Sequence, residues 1–339
     1  MNAATSAYDV VTLGETMLRF SPPGLQRLEQ ATAYEIHVGG SESNTAVGLA
    51  RLGLRVAWLS RLGENALGRI IAAEITRQGV DCQHVCWAAG ERVGTYFIEN
   101  APPPRGIQLL YDRAHSAMSR MQPQDLPAAV FAPGSGRLLH LTGITPALSE
   151  TAAATCRRAL QLARAAGWRI SFDLNYRSKL WSAAEARAGC EYFLSHADWL
   201  LLPFADVQLL FPELAGAEGH FREETAAAVL ARLGERYPAA TIVLTLGAAG
   251  SRARGSDGQQ YAQAAIPQEG QWQARIGAGD AFNAGFLAAM LTEGEDLAEA
   301  LRWGAAGAAL KFTILGDMPL WQRAELLALL AEDTSAVSR

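Results

Sequence analysis

The chain has 339 residues, of which 50% are hydrophobic and 19% charged, and this balance is typical of a globular protein. Its length allows one large α/β domain with an insertion, or two domains. The formal net charge is -5 and no basic block occurs. This pattern excludes nucleic acid and an anionic membrane surface as expected partners, although a few local arginines would suffice for a small anionic substrate.

The cysteines, the N-terminus and the apolar runs favour a reducing compartment. Cys82, Cys86, Cys156 and Cys190 are too few for a disulfide scaffold in a chain of this length, and their spacings do not suit zinc. Residues 1–7 lack the basic and apolar segments of a signal peptide. No apolar run approaches the roughly 18 residues of a transmembrane helix. We therefore expect a cytoplasmic protein with no membrane partner.

Short apolar runs alternate with helical periodicity along most of the chain. Strands are predicted at 8–13, 55–60, 137–141, 168–174, 199–202 and 241–246, and helices at 43–52, 66–78, 149–166, 182–194, 280–291, 297–311 and 319–330. The strands are continuously apolar and helices separate them. This pattern predicts an α/β fold whose mainly parallel sheet is covered by helices on both faces.

Two segments interrupt this alternation of strands and helices. Residues 17–38 and 87–113 carry strand-like alternation with turn residues and little helical periodicity. Alternation indicates strands with one covered face and one open face. The two segments could meet as one small sheet over the crevice at the carboxyl ends of the parallel strands, where ligands bind in α/β folds. Two independent surface hairpins are the alternative.

A glycine-rich turn precedes the helix predicted at 280–291. In the run Gly277, Ala278, Gly279, Asp280, the glycines let the backbone approach a ligand, and the first helical N–H groups are unpaired. This positive end of a helix dipole can stabilise charge on a transferring phosphoryl group. Asp280 could take a proton from an attacking hydroxyl, or it could simply cap the helix. No GK[ST] follows, so the turn is not a Walker loop.

Several motifs, in order along the chain, resemble the ribokinase (pfkB) family of carbohydrate kinases. GAGDAFNAGFL at 277–287 resembles the C-terminal signature of that family, and GGSESN at 39–44 resembles its N-terminal signature. More narrowly, the chain resembles 2-keto-3-deoxygluconate kinases. The matching segments are GETMLRFSPPG at 14–24, TYFIE at 95–99, YDRAHSAMS at 111–119, LHLTGITPAL at 139–148, FDLNYRSKLW at 172–181 and LKFTILGDMP at 310–319.

The resemblance implies a fold, a reaction and a partner. The fold would be a ribokinase-like three-layer α/β/α core with a mainly parallel sheet, plus a small β-sheet lid. The core would comprise residues 1–14, 39–86 and 115–339, and the lid residues 15–38 and 87–114. The reaction would be transfer of the γ-phosphoryl group of Mg-ATP to a sugar hydroxyl. The resemblance also implies a homodimer through the lid, and it raises a monovalent cation as a further candidate cofactor.

The resemblance also assigns roles to individual residues, but it assigns no metal ligand. Asp280 would be the catalytic base, and the backbone of Gly277, Ala278 and Gly279 would form the anion hole. The residues expected to bind the sugar acid are Gly39, Gly40, Asn44, Tyr96, Tyr111, Arg113, Asn175 and Arg177, with Asp173 at the same strand end. The arginine fork suits a carboxylate. The residues expected near the nucleotide are Thr245, Gly247, Gly250 and Arg275. Alternatively, the glycines form ordinary turns, the arginines pair with nearby acids, and the tyrosines are ordinary strand aromatics.

The departures from the family pattern fall on the nucleotide and metal side. Phe204 and Val207 stand where Asn-x-x-Glu is usual, Ala274 stands in place of Asp, and Ala305 in place of Asn. These changes remove oxygen donors that Mg-ATP would use, while Arg275 adds a charge that could hold phosphate. Three hypotheses stay open: an active keto-sugar-acid kinase, a non-catalytic binder of a sugar acid, and a kinase with another nucleotide or acceptor. A Phe204 ring filling the phosphate space would favour the binder.

Overall fold

Strands and helices alternate along the chain. The structure, a computed structural model, describes residues 7–101, 104–215, 223–267 and 276–335. Its strands are β1 Val10–Leu13, β2 Met17–Ser21, β3 Glu35–Gly39, β4 Val56–Leu59, β5 Arg61–Gly63, β6 Cys86–Ala88, β7 Thr95–Glu99, β8 Gln108–Asp112, β9 Leu138–Thr142, β10 Arg169–Asp173, β11 Trp199–Pro203, β12 Thr241–Thr245, β13 Ser251–Arg254 and β14 Gln260–Gln263. Its helices are α1 Ser41–Arg51, α2 Ala66–Arg77, α3 Glu150–Ala165, α4 Ala183–His196, α5 Phe204–Leu210, α6 Pro212–Ala215, α7 Glu223–Arg236, α8 Ala278–Thr292, α9 Leu297–Phe312 and α10 Arg323–Ser335. Short 3-10 turns lie at Leu28–Gln30, Met118–Arg120, Pro123–Asp125, Ala128–Phe131, Pro146–Leu148 and Gly247–Ala249.

The main sheet is largely parallel, which confirms the predicted fold class. Among the described residues it has eight strands, in the order β14-β13-β12-β11-β10-β9-β1-β4. The strands from β4 to β12 in this order pair in parallel, and β13 and β14 add an antiparallel edge. The carboxyl ends of six parallel strands therefore meet at one edge of the sheet.

Helices cover both faces of this sheet and give the three-layer arrangement. Neighbouring strand residues point to opposite faces, so that Val11 and Leu13 lie in one apolar core and Val10 lies in the other. The first core is completed by α3, α4, α5 and α7, and the second by α1, α2, α8, α9 and α10. Both faces of the parallel strands are thus buried, as their continuously apolar sequences predicted.

Side-chain caps fix where several helices begin. Asn65 accepts the first backbone N–H groups of α2, and Asp296 does the same for α9. Ser182 and Glu185 form a reciprocal capping box at the start of α4. At α10, predicted from 319, the Gln322 backbone N–H donates to Glu325 at 2.6 Å, so the helix begins after this contact. These local contacts set helix starts to within a few residues of the periodic pattern.

The two strand-rich segments combine into one small sheet. Its order is β3-β2-β7-β8, and the central β2–β7 pair is parallel while the outer pairs are antiparallel. The alternative of two independent hairpins is therefore wrong, because β2 and β7 come from different segments. Arg19, His37, Tyr96 and Tyr111 are in register on the face toward the main sheet. The exact core and lid boundaries given above stay a prediction.

Two expectations from composition can be compared with the described residues. All four cysteines are free thiols, as their number and spacing indicated. Within the described ranges, no helix combines the length and apolar character that crossing a bilayer requires.

Candidate active site

A cavity of about 870 Å³ lies at the carboxyl edge of the main sheet, below the inner face of the small sheet. The structure brings together there every residue predicted as base, anion loop or sugar-acid contact. Their roles stay predictions. The predicted residues that line the cavity are Gly39, Gly40, Asn44, Tyr96, Tyr111, Arg113, Asn175, Arg177, Gly277, Ala278, Gly279 and Asp280.

Asp280 lies in the first turn of α8 at the floor of this cavity. Its Oδ1 accepts a 2.6 Å hydrogen bond from the Ser41 hydroxyl, and its Oδ2 accepts a 2.7 Å bond from the Asn44 amide. Burial raises the pKa of Asp280 above its usual value, while the two hydrogen bonds and the charge of Arg177 favour its ionised form. A raised pKa makes the ionised carboxylate a better proton acceptor near neutral pH.

The turn before Asp280 needs glycine at Gly277. This residue has a φ of 80°, and a β-carbon there would lie 2.0 Å from the Asp317 carbonyl oxygen. Helix α8 therefore begins at Ala278, two residues before its predicted start. The amides of the first turn have no partner within the helix. A β-carbon on Gly279 would meet nothing within 4 Å, so this part of the turn is open to a ligand.

A buried polar network connects Asp280 to the end of β10. Asn175 donates to Ser41 at 2.7 Å and to Asp173 at 3.1 Å, and Asn283 donates to Asp173 at 2.8 Å. Asn175 has a φ of 40°, a left-handed conformation that asparagine tolerates better than most residues. Burial, reinforced by the Asp280 carboxylate, raises the pKa of Asp173 to about 8. Asp173 is then protonated at neutral pH and avoids like-charge repulsion with Asp280.

A third buried acid, Glu42, lies in α1 behind the polar network. Its Oε1 accepts hydrogen bonds from Thr142 at 2.8 Å and Thr145 at 2.7 Å. Burial raises the pKa of Glu42 to about 7. The sequence analysis missed this residue, although it lies inside the GGSESN motif, because nothing in the motif shows which side chain turns inward.

Two close backbone approaches explain the glycine pair at 39–40. A β-carbon on Gly39 would lie 2.5 Å from the Tyr96 hydroxyl, and one on Gly40 would lie 2.2 Å from the Glu15 carbonyl oxygen. Either contact would push the lid away from α1. The pair is therefore more than an ordinary turn, since it lets the lid strands pass directly over the cavity.

Tyr96 and Tyr111 form an aromatic wall on the lid side. Their rings stack with centroids 5.7 Å apart, and the Tyr96 hydroxyl donates to Asp317 at 2.8 Å. Lys179, from the loop after β10, donates to the Leu109 carbonyl at 2.6 Å and lies over the Tyr111 ring. The lid is thus tied to the core from both sides of the cavity mouth.

The two predicted carboxylate-binding arginines differ in their surroundings. Arg113 is nearly buried and donates through Nε and Nη2 to Glu15, whose other oxygen accepts from Ser116. Arg177 is exposed at the cavity mouth. The alternative that these arginines pair with nearby acids holds for Arg113, yet its side chain still lines the cavity. Glu15 fixes the orientation of the Arg113 guanidinium, which is a role that sequence analysis missed.

The predicted nucleotide residues lie beside the cavity. Thr245 ends β12 and is in register with Pro203 of β11, which lines the cavity. Gly247 and Gly250 have φ of 60° and 91° in the following turn. Within the described ranges, the cavity lining stops short of these three residues. Ala274 and Arg275 lie outside the described residues.

The residues that depart from the family pattern are packed in apolar surroundings. Phe204 is 5% exposed and Val207 is fully buried, and both belong to the core between α5 and the sheet. The Phe204 ring therefore does not fill the cavity. Ala305 is buried in α9. Asp206, next to the expected acid position, accepts from the Tyr176 backbone N–H at 2.9 Å.

Within the described ranges, the side chains do not form a preformed metal site. In the part of the chain that the structure describes, no group of three His, Cys, Asp or Glu side chains could hold an ion together. Magnesium that accompanies a nucleotide takes its ligands mainly from phosphate and water. The structure therefore assigns no metal ligand, as the sequence also assigned none.

Comparison with known proteins places this geometry in a family. The pfkB family carbohydrate kinase model matches residues 7–322. A 2-dehydro-3-deoxygalactonokinase from Haloferax volcanii is 39% identical over 310 residues, which cover 91% of this chain and 92% of that protein.

Two solved structures extend the comparison to the fold. The 2-dehydro-3-deoxygluconokinase from Thermotoga maritima superposes with a TM-score of 0.84 at 30% identity, covering 96% of this chain and 99% of that one. A fructokinase double mutant from Vibrio cholerae, with fructose, ADP and a potassium ion bound, gives a TM-score of 0.79 at 25% identity, with 96% and 99% covered. The three-layer core and the lid are thus common to sugar kinases with different acceptors.

Proposed function

The chain belongs to the pfkB family of carbohydrate kinases, and we propose that it transfers the γ-phosphoryl group of ATP to a hydroxyl of 2-keto-3-deoxygluconate or a closely related keto-sugar acid. The names of its relatives support this acceptor class, since they include kinases of the gluconate-derived and galactonate-derived sugar acids. The site itself supplies a base, an anion-binding turn and arginines around one cavity.

One observation carries the proposal: the Asp280 carboxylate and the open amides at the start of α8 face the same cavity as the sugar-side residues. Ser41 and Asn44 hold the carboxylate in place. An acceptor hydroxyl bound there would lie next to a proton acceptor and to an anion-binding turn. Phosphoryl transfer needs little more from the protein than such positioning and charge stabilisation.

Two of the buried acids, Asp280 and Asp173, have different parts in the proposed reaction. The acceptor hydroxyl gives its proton to Asp280 as its oxygen forms a bond to the γ-phosphorus, and the bond from that phosphorus to the β–γ bridging oxygen breaks. Asp173 keeps its own proton at neutral pH, because burial raises its pKa to about 8. The environment thus keeps Asp173 neutral, while the hydrogen bonds from Ser41 and Asn44 favour the ionised form of Asp280, and this divides their roles.

Two arginines, Arg113 of the lid and Arg177 of the core, support a carboxylate-bearing acceptor. Arg113 is held by Glu15 with its guanidinium in the cavity wall, and Arg177 lies across the mouth. A guanidinium binds carboxylate through charge-assisted hydrogen bonds that neutral sugars cannot match. We expect the acid end of the substrate at this side and its phosphorylated hydroxyl near Asp280.

The main alternative is a relative that binds the sugar acid without using ATP. It is motivated by the oxygen donors lost from the family pattern at Phe204, Val207, Ala274 and Ala305. Phe204 and Val207 are packed into the core and leave the cavity open, which takes away the steric reason for excluding phosphates. We therefore favour the kinase and keep the binder as a defined outcome of the test.

We also propose a homodimer through the outer face of the lid. Phe20, Ile36, Phe97 and Leu110 are in register on that face, and Ile36 and Leu110 are 53% and 59% exposed. Phe20 and Phe97 stack with centroids 5.3 Å apart. An apolar sheet face of this kind is suited to a second copy. Size-exclusion chromatography with light scattering should give twice the 36.3 kDa chain mass, and Leu110→Glu should shift it to the monomer.

ATP as donor and four free thiols support a cytoplasmic location for this reaction. Fractionation of cells that express the tagged chain would test it. Recovery of the protein with the extracytoplasmic fraction would contradict the assignment.

The deciding experiment is a coupled ADP-release assay with Mg-ATP and a panel of acceptors. The panel holds the 2-keto-3-deoxy acids of gluconate and galactonate, with fructose and ribose as neutral comparisons. We expect turnover of a sugar acid that disappears in Asp280→Asn. No turnover, together with thermal stabilisation by the sugar acid and none by Mg-ATP, would instead establish the binder.

A further inference from the structure

Lys311 is a fully buried cation behind the active-site turn. It lies in the last turn of α9 with 0% of its surface exposed. Its Nζ donates to the carbonyl oxygens of Ile314 at 2.8 Å and Gly316 at 2.9 Å. An isolated buried ammonium would be costly, so these carbonyls, together with nearby charges, must compensate its loss of water.

The choice of lysine here is unusual for this chain. Of its 29 basic residues only two are lysines, Lys179 and Lys311, and the other 27 are arginines. An ammonium is a compact point charge, whereas a guanidinium is a broad planar fork. Converging backbone carbonyls fit a compact charge, in the way that oxygen ligands surround a metal cation. Lys311 therefore occupies a place that suits a small cation.

This cation supports the anion-binding turn from behind. A β-carbon on Gly277 would lie 3.4 Å from Lys311 Cε and 2.0 Å from the Asp317 carbonyl oxygen. The Asp317 side chain in turn pairs with Arg19 at 3.0 Å and accepts from Tyr96. The loop at 313–317, held by the Lys311 ammonium, thus touches both the turn at Gly277 and the lid.

We infer that the Lys311 ammonium acts as a built-in monovalent cation, which holds the 313–317 loop against the anion-binding turn and makes turnover independent of dissolved potassium. The inference rests on the proposed kinase function and sharpens it. The fructokinase compared above has a potassium ion bound, so a sugar kinase of this fold can combine with such an ion. In this chain the covalently attached ammonium takes the part of such an ion, and Lys311 is a positioning residue.

The inference is tested by comparing how two Lys311 variants respond to added cations. Lys311→Ala leaves space for an ion, whereas Lys311→Met removes the charge and fills most of the space. Turnover is measured with the chlorides of potassium, ammonium or tetramethylammonium at constant ionic strength. We expect the unmodified enzyme to change by less than about twofold, and both variants to lose about tenfold in kcat in tetramethylammonium chloride. Potassium or ammonium should restore Lys311→Ala and leave Lys311→Met low.

Several outcomes would overturn the inference. They are strong potassium activation of the unmodified enzyme, a Lys311→Met variant as active as that enzyme, or a Lys311→Ala variant that responds equally to every chloride. If Lys311→Ala fails to fold, the first two measurements still decide.

Thermal unfolding separates this inference from the kinase proposal. An ion that binds the folded state raises the melting temperature, so potassium should raise that of Lys311→Ala by about 2 °C or more over tetramethylammonium. The unmodified protein should show no such difference. This measurement needs no substrate. Absence of turnover would therefore reject the kinase function, while the melting temperatures would still test the role of Lys311 independently. Equal melting temperatures of Lys311→Ala in the two salts would reject the internal cation.

A pH profile gives a signature that a purely structural lysine would lack. Burial lowers the pKa of Lys311 to about 8, with Asp317 and Asp280 favouring the charged form and Arg19 opposing it. His37 lies against Gly316 and is mainly neutral at this pH, since burial lowers its pKa. Turnover of the unmodified enzyme should fall about fivefold one pH unit above that value, because about a tenth of Lys311 is still charged there and the uncharged form keeps about a tenth of the activity. Asp173 also titrates near pH 8 in both proteins, so the difference between the two profiles is the signature. Potassium-restored Lys311→Ala should lack the part of the fall that belongs to Lys311, because potassium carries no proton; superimposable profiles would contradict the inference.

Discussion

The sugar end and the nucleotide end predicted for the site are built in different ways. At the predicted sugar end, side chains hold one another: Ser41 and Asn44 bind Asp280, and Asn175 joins Ser41 to Asp173. At the predicted nucleotide end, beside the cavity lining, the turn after β12 is closed by backbone bonds, from Leu246 N–H to Gly250 at 2.8 Å and from Gly250 N–H to Gly247 at 3.0 Å. Backbone groups that are not used inside such a turn bind phosphate whatever side chains surround them. If the nucleotide lies against this turn, its side chains can depart from the family pattern while the backbone still holds phosphate.

The sugar end also carries the greater electrostatic cost. Asp280, Asp173 and Glu42 are all buried, and burial raises the pKa of each. Groups of this kind bind more protons in the folded than in the unfolded state. Their linked contribution to stability therefore falls as pH rises from the ordinary acid range near 4 toward the folded values of about 7 for Glu42 and about 8 for Asp173. Burial of these three acids therefore reduces the stability of the folded protein near neutral pH, and a role in catalysis or binding would account for keeping them.

The largest effect is expected at the base. Asp280→Asn keeps the size and the acceptor oxygen of the side chain but removes its ability to take a proton. We expect kcat to fall by about 10³-fold. Thermal stabilisation by the sugar acid should persist, because the amide oxygen still accepts one of the two hydrogen bonds and the other residues of the cavity lining are unchanged. Steady-state kinetics and thermal shift on the same preparation measure both.

A matched control lies at the opposite edge of the sheet. Asp257 is an exposed turn residue between β13 and β14, and its Oδ1 accepts the Gln259 backbone N–H at 3.0 Å. Asp257→Asn can keep that bond and should leave kcat unchanged. Comparable loss in both variants, or near-normal activity of Asp280→Asn, would remove Asp280 from its proposed role.

The second effect separates the two arginines of the sugar end. Both Arg113→Ala and Arg177→Ala should raise KM for the sugar acid by about tenfold, with KM for ATP unchanged. Only Arg113→Ala should also destabilise the protein, by about 3 kcal/mol, because it leaves the buried Glu15 carboxylate without its partner. Urea unfolding of the two variants measures the contrast.

A double variant checks the cause of that destabilisation. Glu15→Gln combined with Arg113→Ala removes both charges, so it should recover part of the lost stability while KM for the sugar acid stays high. Equal stability of the single and double variants would mean that the unpaired Glu15 carboxylate is not the cause of the destabilisation.

A third comparison concerns the glycine turn before Asp280, between the predicted sugar and nucleotide ends. Gly277→Ala should destabilise the protein by about 2 kcal/mol, because of its positive φ and the contact with the Asp317 carbonyl. Gly279→Ala has open space around it and should fold normally. Its methyl group would face the ligand, so KM for ATP should rise and KM for the sugar acid should not. A melting temperature for Gly279→Ala as low as that of Gly277→Ala would refute this geometry.

The sequence predicted the fold, and the residues it assigned to the sugar end line one cavity, for physical reasons that can be named. Apolar strands and periodic helices are local signals, and they gave the parallel sheet with its two helical layers. Asp280, Asn44 and Asn175 were found because their motifs carry them. Asn283, one turn after Asp280 on the same helix, was missed, although its spacing puts it on the same face.

Contacts between distant segments could not be predicted from the sequence. Glu15 meets Arg113 across 98 residues, and Tyr96 meets Asp317 across 221. From the sequence, Lys311 is an ordinary basic residue in the last turn of a helix. Only the folded loop at 313–317 shows that its ammonium group is buried. The position of Phe204 was equally open, because an aromatic residue after a strand can face either a cavity or the core.

The smallest effect is expected at the nucleotide end, and it tests the comparison most directly. Thr245→Ala removes a half-buried hydroxyl at the end of β12 but keeps the backbone of the turn. If backbone groups bind the phosphates, KM for ATP should rise by less than about threefold, the loss of at most one ordinary hydrogen bond. Gly250→Ala should do more, because a β-carbon there would lie 2.1 Å from the Gln263 carbonyl oxygen and would distort the turn. A rise of two orders of magnitude in Thr245→Ala would mean that side chains build both ends of the cavity alike.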